Sequence, residues 1–217
     1  MMKRKTTEIL QEIYDRLFAF FGPQNWWPAE TPFEVCVGAI LTQNATWKNV
    51  EKAINNLKQK GFLNPQALYE LSLDKLAELI KPSGFYNLKA KRLKTFVEFL
   101  VVNYQGDLNL MFQQPLPKIR EELLNLKGLG KETVDSILLY AGNLPVFVVD
   151  AYTYRILNRH LLISEEANYD EIQAFFMENL PLDPALFNEY HALLVACGKT
   201  FCKKVTPVCD PCPLKGI

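Results

Sequence analysis

The chain has 217 residues, of which 49% are hydrophobic, so it is long enough to bury the core of one large domain or two small ones. Lysine plus arginine and aspartate plus glutamate both number 24, and the resulting net charge of zero gives no support by itself to a nucleic-acid partner. No apolar run reaches the length of about 18 residues needed to cross a membrane, and the charged N-terminal stretch lacks the apolar segment of a signal peptide. We therefore expect a prokaryotic cytoplasmic protein with no membrane partner.

Hydrophobic spacing along the chain predicts one helix after another. Ile9, Ile13 and Leu17 repeat at helical spacing, and Thr31 and Ser72 are expected to cap the starts of two later helices. The only β-branched run, residues 146–149, is short, so we predict an all-α protein. The predicted helices are 6–20, 33–41, 47–59, 65–71, 73–80, 87–104, 117–126, 131–141, 151–160, 169–179 and 185–197.

The densest signal lies in residues 123–156, where Gly128 and Gly130 bracket Leu129 between two amphipathic helices. Glycines permit a tight turn with positive φ, and the turn opens the helix that begins at Lys131. The N–H groups and the positive end of that helix form a site suited to a DNA phosphate. Taken alone, a G-x-G between helices also fits an ordinary helix–helix turn.

Asp150 ends the apolar run 146–149 and precedes the helix at 151–160. Burial there would hold a carboxylate in a fixed place, which favours a catalytic role. The simpler alternative is an N-cap for that helix. Both are compatible, because capping would keep the carboxylate ionised.

The segment 123–156 resembles the helix-hairpin-helix, Gly/Pro-rich loop and aspartate motif of the endonuclease III superfamily of DNA glycosylases. Leu41-Thr42-Gln43-Asn44 resembles the family segment that fills the hole left by a flipped base, and residues 84–90 resemble its glycine-(Phe/Leu)-Tyr-Asn-x-Lys-Ala stretch. The resemblance covers roughly residues 26–217. It implies that Asp150 is catalytic and that duplex DNA with a damaged base is bound by Asn44, Gly128, Leu129, Gly130 and Lys131.

The resemblance also implies two helical lobes with the DNA groove and base pocket between them. We expect a six-helix lobe at 30–141, containing the hairpin at 123–141. The second lobe would be discontinuous, formed by 1–29 and 142–217, with a cysteine-rich metal loop at 202–217. A monomer is expected.

Glu132 departs from the pattern of the family's bifunctional members, which carry a lysine two positions after the second hairpin glycine. That lysine forms a Schiff base with the sugar and nicks the strand. A carboxylate cannot form an imine, and Lys131 points about 100° away around the helix. The sequence therefore predicts a monofunctional glycosylase that uses water, with AP lyase activity absent or weak. Glu132 would be either a surface residue or part of the base pocket.

Aromatic residues indicate the class of base. Trp26, Pro28 and Trp47, together with Glu132, resemble the pocket of the 3-methyladenine DNA glycosylase III branch, although core packing also accounts for the tryptophans. Aromatic faces attract cations, and many alkylated purines are cationic. We expect an alkylated purine such as 3-methyladenine as substrate.

Cys202, Cys209 and Cys212 form a C-x6-C-x2-C pattern. It resembles the iron–sulfur loop of the family, in which four cysteines hold a [4Fe–4S] cluster. The family's fourth cysteine would fall just beyond residue 217. Zinc is the second choice of metal, and a metal-free loop is the remaining alternative. Cys36 is expected in the core, and His160 and His191 stand alone in the sequence.

Local clusters of basic residues are compatible with a DNA face despite the zero net charge. They also fit ordinary solvated helix faces. The basic residues are Lys89, Lys91, Arg92 and Lys94 on one helix and Lys127 and Lys131 at the hairpin.

Two other functions compete with the monofunctional glycosylase. One is an endonuclease III-like glycosylase and lyase acting on oxidised pyrimidines, and the other is a non-enzymatic DNA-binding module.

Overall fold

The computed structural model describes residues 5–217, and every regular element among them is helical. The all-α prediction is confirmed. Residues 1–4, where the second predicted lobe begins, lie outside the described residues. The helices are α1 Thr6–Phe21, α2 Pro32–Leu41, α3 Trp47–Gln59, α4 Pro65–Glu70, α5 Leu73–Leu79, α6 Tyr86–Tyr104, α7 Leu108–Phe112, α8 Leu116–Leu124, α9 Lys131–Ser136, α10 Ala151–Arg159, α11 Tyr169–Met177 and α12 Pro184–Thr200, with a 3-10 turn at Lys81–Ser83 and a π-helical turn at Ile137–Ala141.

The two helix caps predicted from the sequence are present in the structure. The hydroxyls of Thr31 and Ser72 accept hydrogen bonds from the first turns of α2 and α5. The short helix α7 was not predicted, because its five residues carry no periodic pattern. It begins at Asp107, whose carboxylate accepts from the N–H of Asn109 at 2.8 Å.

The chain divides into two compact units, Met1–Pro28 with Pro145–Ile217, and Ala29–Leu144. The second unit contains α2 to α9, and four of these helices, α4, α5, α7 and α9, have seven residues or fewer. Within this unit a bidentate ion pair joins α8 to α9. Arg120 donates to both oxygens of the fully buried Asp135, at 2.7 and 2.9 Å.

Aromatic packing holds the irregular segment 146–149 in the core of the other unit. The ring of Phe147 stacks on Phe176 with centroids 3.8 Å apart. The backbone carbonyl of Phe147 accepts a hydrogen bond from the side chain of Gln173 at 2.6 Å. No strand forms at this run in the described chain, and the segment leads through Asp150 into α10.

Two helices of this unit, α10 and α12, approach each other closely. A Cβ atom at Gly198 of α12 would lie only 2.3 Å from the ring of Tyr152 on α10, so glycine is required there for the contact. Among residues 5–217, none of the helices is both long and apolar enough to cross a membrane.

Candidate functional site

Asp150 is the N-cap of α10. Its Oδ1 accepts from the N–H groups of Tyr152 and Thr153 at 2.9 and 2.8 Å, and from the hydroxyl of Thr153 at 3.0 Å. The side chain is only 11% exposed. The structure thus has a buried carboxylate whose orientation is fixed by three donors of the first helical turn.

His191 of α12 meets the other carboxylate oxygen. Its Nε2 lies 3.6 Å from Asp150 Oδ2, and both side chains are nearly buried. His191 was expected to stand alone, and that expectation is wrong, because it lies against Asp150. No local sequence pattern predicts the contact between Asp150 and His191. The two residues are far apart in sequence and meet only because α10 packs on α12.

The ionisation of Asp150 reflects two opposing causes. Burial acts to raise the pKa of the carboxyl group, but the contact with His191 and the hydrogen bonds from Thr153 outweigh it and hold the pKa below its ordinary value. Asp150 is therefore a carboxylate at neutral pH. This agrees with the expectation that capping keeps it ionised.

The hairpin between α8 and α9 is formed by two glycines that differ in conformation. Gly128 has a φ of +95°, the left-handed region that favours glycine, and a Cβ atom there would meet Arg92. Gly130 is the extended N-cap of α9, with φ −91°, and no atom lies within 4 Å of where its Cβ would stand. Only Gly128 therefore needs the positive φ that was expected of both glycines. Leu129, between them, is buried as the hairpin prediction requires.

The segment Leu41-Thr42-Gln43-Asn44 follows α2 and is attached to the hairpin. The amide nitrogen of Gln43 donates to Thr133 Oγ1 at 2.9 Å and to the carbonyl of Gly128 at 3.2 Å, and its amide oxygen accepts from Arg92. Asn44 is exposed in the left-handed conformation, with φ +52°. Gln43 thus fixes the segment, and Asn44 is presented to solvent.

Lys89 belongs to the stretch 84–90 and connects it to Leu41 at the end of α2. Its side chain is 1% exposed, and its Nζ donates to the carbonyls of Leu41 at 2.8 Å and Ser83 at 2.7 Å. Burial and the nearby Arg92 lower the pKa of the amine. Lys89 is therefore a structural residue, and its predicted place on a DNA face is wrong.

Lys94 also donates its hydrogen bonds to backbone carbonyls. Its ammonium group donates to the backbone carbonyls of Leu68, Tyr69 and Leu71 at the end of α4, where a cation is favoured by the helix dipole. The predicted DNA-facing role is wrong for Lys94 as well. Lys91 and Lys127 are exposed, and Lys131 is half-buried.

The predicted base-pocket residues are distributed between the two units. Trp26 and Pro28 belong to the unit containing α10, and Trp47 and Glu132 belong to the unit containing the hairpin. Trp26 and Trp27 are both half-buried, with ring centroids 4.9 Å apart. Trp47 is half-buried at the first position of α3, and Glu132 is exposed in the first turn of α9.

The cysteine segment follows α12. Cys197, Cys202, Cys209 and Cys212 line one cavity of about 110 Å³. Cys197 was not predicted to belong to this group. Burial, together with the neighbouring thiols of Cys212 and Cys202, raises its pKa.

Two arginines of α10 hold the start of the cysteine segment. Arg159 donates to Cys202 Sγ at 3.3 Å and to the carbonyl of Lys203 at 2.7 Å, and Arg155 donates to the carbonyl of Cys202 at 2.7 Å. Within residues 5–217, no group of three or more His, Cys, Asp or Glu side chains is arranged to hold a single metal ion.

Comparison with known proteins gives related sequences along most of the chain. Residues 37–182 match the HhH-GPD superfamily of base excision DNA repair proteins. A Methanocaldococcus jannaschii protein described as a candidate DNA repair glycosylase is 52% identical over 99% of this chain and 97% of its own length. Endonuclease III of Thermotoga maritima is 32% identical over 85% of this chain and 81% of its own length.

Solved structures of DNA glycosylases superpose on most of the chain. The 3-methyladenine DNA glycosylase of H. pylori, solved with 1,N6-ethenoadenine, is 33% identical and superposes with a TM-score of 0.78, covering 90% of this chain and 98% of that one. A trapped endonuclease III–DNA covalent intermediate is 23% identical and superposes with a TM-score of 0.82, covering 97% of this chain and 94% of that one.

At 23% identity the second likeness shows the fold alone, which is that of endonuclease III. The predicted resemblance to the endonuclease III superfamily is confirmed, because the matched residues 37–182 include the hairpin and Asp150. This chain belongs to the HhH-GPD superfamily of base excision DNA repair proteins.

Proposed function

We propose that the protein is a monofunctional DNA glycosylase that releases an alkylated purine, such as 3-methyladenine, from duplex DNA. The observation that carries this proposal is the buried, ionised Asp150 at the start of α10, in a chain with Glu132 where bifunctional relatives have lysine. The 33% identical glycosylase of H. pylori supports the same class of substrate.

In the proposed reaction, water attacks the anomeric carbon of the sugar and the bond from that carbon to the base breaks. The bonding electrons leave with the base, and a cationic alkylpurine becomes neutral as it departs. Asp150 accepts the proton of the attacking water, and its charge stabilises the oxocarbenium-like sugar. Because Oδ1 already accepts three hydrogen bonds, whereas the Nε2 of His191 lies farther from Oδ2, at 3.6 Å, we assign the proton transfer to Oδ2.

Glu132 excludes the lyase chemistry that a lysine at its position would perform. A carboxylate cannot form a Schiff base with the sugar. Lys131 is the adjacent residue but points about 100° away around α9. We therefore expect base release to leave an intact strand with an abasic site.

DNA binding is assigned to the hairpin and to the segment after α2. The backbone at Gly128, Leu129 and Gly130 and the side chain of Lys131 would hold a phosphate, and Asn44 would enter the duplex where the base has left. The open space at Gly130 supports close approach of a phosphate to the backbone. Trp26, Pro28, Trp47 and Glu132 are proposed to contact the base. The molecule is expected to work as a cytoplasmic monomer.

The cysteines are proposed to hold a [4Fe–4S] cluster, with Cys202, Cys209 and Cys212 as ligands. The donor set fits, because these three thiols line a single cavity and cysteine sulfurs are the usual ligands of such a cluster. When bound, the cluster supplies structural order to the loop. Arg155 and Arg159 attach that loop to α10, the helix that Asp150 caps.

The cluster is tested by the iron and acid-labile sulfide content of the brown protein expected from anaerobic purification. Cys209→Ser should lose iron and colour, and Cys36→Ser should retain both, because Cys36 is fully buried in α2. Zinc, or no metal, in the unaltered protein would contradict the cluster.

The function itself is tested by base release from a panel of modified duplexes, measured with and without alkali and with borohydride trapping. We expect 3-methyladenine to leave faster than an oxidised pyrimidine, strand breaks only after alkali, and no covalent adduct. A trapped adduct would show that a lysine reaches the sugar, and would overturn the monofunctional mechanism.

A second candidate function is favoured by the 32% identity to endonuclease III of Thermotoga maritima. An enzyme of that kind would release oxidised pyrimidines and nick the strand. The same panel separates the two, since release of oxidised pyrimidines alone would contradict the assigned substrate. A non-enzymatic DNA-binding module would bind all the duplexes and release no base.

A further inference from the structure

We propose that His191 is a positioning residue that holds the second oxygen of Asp150 and keeps this carboxylate charged and oriented for the attacking water. This inference rests on the proposed function, in which Asp150 is the catalytic carboxylate. It assigns a role to a histidine whose sequence context carries no signal.

The contacts of Asp150 divide between its two oxygens. Oδ1 takes three hydrogen bonds from the first turn of α10, and Oδ2 has the Nε2 of His191 at 3.6 Å. The carboxylate is thus held from two different helices. Rotation about its terminal bond would cost the contacts on both sides.

The packing of α10 on α12 fixes this geometry. His191 and Gly198 are seven residues apart, which is about two helical turns, so they lie on the same face of α12. Gly198 permits the close contact with the Tyr152 ring of α10. The same helix–helix contact that requires glycine therefore sets the distance from His191 to Asp150.

Among the groups around Asp150, His191 contributes most to stabilising the charged form of the carboxylate. From α10 the carboxylate receives the N–H and hydroxyl of Thr153, and from α11 the hydroxyl of Tyr169 accepts from the neighbouring Val149 N–H at 3.4 Å. Burial alone raises the pKa of Asp150, and His191 is the largest opposing influence, followed by Thr153. Without His191, the pKa of the buried carboxyl should therefore rise.

The test compares His191→Phe and His191→Gln with Tyr190→Phe. Glutamine retains an N–H donor, and phenylalanine removes it. Tyr190→Phe is the matched control, since it deletes a buried hydrogen bond from the same helix to the carbonyl of Leu10, at 2.8 Å, without touching Asp150. Thermal unfolding reports any general loss of stability in each variant.

Two readouts follow the ionisation of Asp150. One is the pH profile of single-turnover release of 3-methyladenine. The other is the carbon-13 NMR titration of the Asp150 carboxyl group, assigned by its absence in Asp150→Asn, which needs no activity. We expect His191→Phe to move the acid limb of the profile and the carboxyl titration to higher pH by about one unit or more, His191→Gln to restore part of the shift, and Tyr190→Phe to leave both unchanged.

The outcomes separate the two proposals. If Asp150→Asn abolishes base release but folded His191→Phe leaves both titrations unmoved, the role of His191 is wrong and the proposed function stands. If Asp150→Asn releases the base at a normal rate, the catalytic assignment of Asp150 fails instead. An equal shift in Tyr190→Phe would reduce His191 to a general packing residue.

Discussion

Asp150 combines two roles that depend on the same charge. As an N-cap, its Oδ1 satisfies N–H groups that the helix leaves without internal partners. As a buried carboxylate, it is costly unless other groups stabilise the charge. The donors of α10 and the contact with His191 supply that stabilisation, so helix capping and the proposed catalysis require the same arrangement.

Replacing Asp150 by asparagine and by alanine should separate these roles. Asparagine keeps an oxygen for the cap but loses the charge, and alanine loses both. We expect base release to fall by about 10² or more in both variants, and only Asp150→Ala to lose a further ~0.5–2 kcal/mol of stability relative to Asp150→Asn. Single-turnover base release and urea unfolding measure the two effects. DNA binding should survive in Asp150→Asn, and near-normal turnover would remove Asp150 from the mechanism.

The same residue should make stability depend on pH. Because the folded state lowers the pKa of Asp150 below its ordinary value of 3.8, the folded state binds the proton less readily than the unfolded chain. Its contribution is therefore fully present well above that value and is lost as pH falls through the folded pKa. The difference in unfolding free energy between the unaltered protein and Asp150→Asn should be constant near neutral pH and shrink below about pH 4. A difference that grows on acidification would contradict this sign.

The sequence was sufficient to predict that Asp150 caps a helix after an apolar run, and the structure has it as the N-cap of α10. Its catalytic role was implied by the family resemblance and stays a prediction. The sequence was insufficient for Lys89 and Lys94, which stand on a lysine-rich helix and look like solvated charges. Their ammonium groups instead satisfy backbone carbonyls of Leu41 and Leu71, among others. Such partners come from other segments of the chain, so no pattern within α6 reveals them.

The two glycines of the hairpin have different conformations and different surroundings. Gly128 provides the left-handed turn, and Arg92 packs over its α-carbon. Gly130 has an extended conformation that any residue can adopt, and it faces open space. The structure therefore requires glycine at position 128, whereas only an external ligand would require it at position 130.

Substitution of the two glycines tests this difference. Gly130→Val should keep stability within about 1 kcal/mol, an allowance for a poorer N-cap, yet weaken binding to duplex DNA about tenfold by blocking a phosphate. Gly128→Val should instead destabilise the fold by roughly 1–3 kcal/mol through backbone strain. Urea unfolding and fluorescence anisotropy with damaged and undamaged duplexes measure both quantities. Since phosphate contacts carry no base information, a changed lesion preference with intact affinity in Gly130→Val would refute the phosphate contact.

Periodicity predicted the long helices well, because α1, α3 and α6 each bury one regularly spaced face. It failed where an element is too short to show a period, as in α7, or where the backbone departs from a regular α-helix, as in the π-helical turn at Ile137–Ala141. The contact of His191 with Asp150 was also out of reach, since it depends on how α10 and α12 pack. Of the candidate site, the sequence could thus predict the residues within one motif but not the partners supplied by another helix.

The net charge of zero restricts how DNA can be bound. Long-range attraction by excess positive charge is absent, so the affinity must come from local cations that lie close to phosphates. Two of the basic side chains on α6 do not contribute to phosphate binding, because Lys89 is buried and Lys94 is bound to the end of α4. Exposed candidates are Lys91 on α6 and Lys127, which directly precedes Gly128.

The salt dependence of DNA binding should distinguish these lysines. Each phosphate contact that a lysine makes contributes about 0.9 to the slope of log affinity against log salt concentration. We expect Lys127→Met and Lys91→Met each to reduce that slope by about 0.9 and to weaken binding to all sequences alike. Lys94→Met is the matched control on α6, and it should lower stability but leave the slope unchanged, because its ammonium group already serves the carbonyls of α4. A slope that falls with Lys94→Met and not with Lys127→Met would show that the DNA-binding surface lies elsewhere on the molecule.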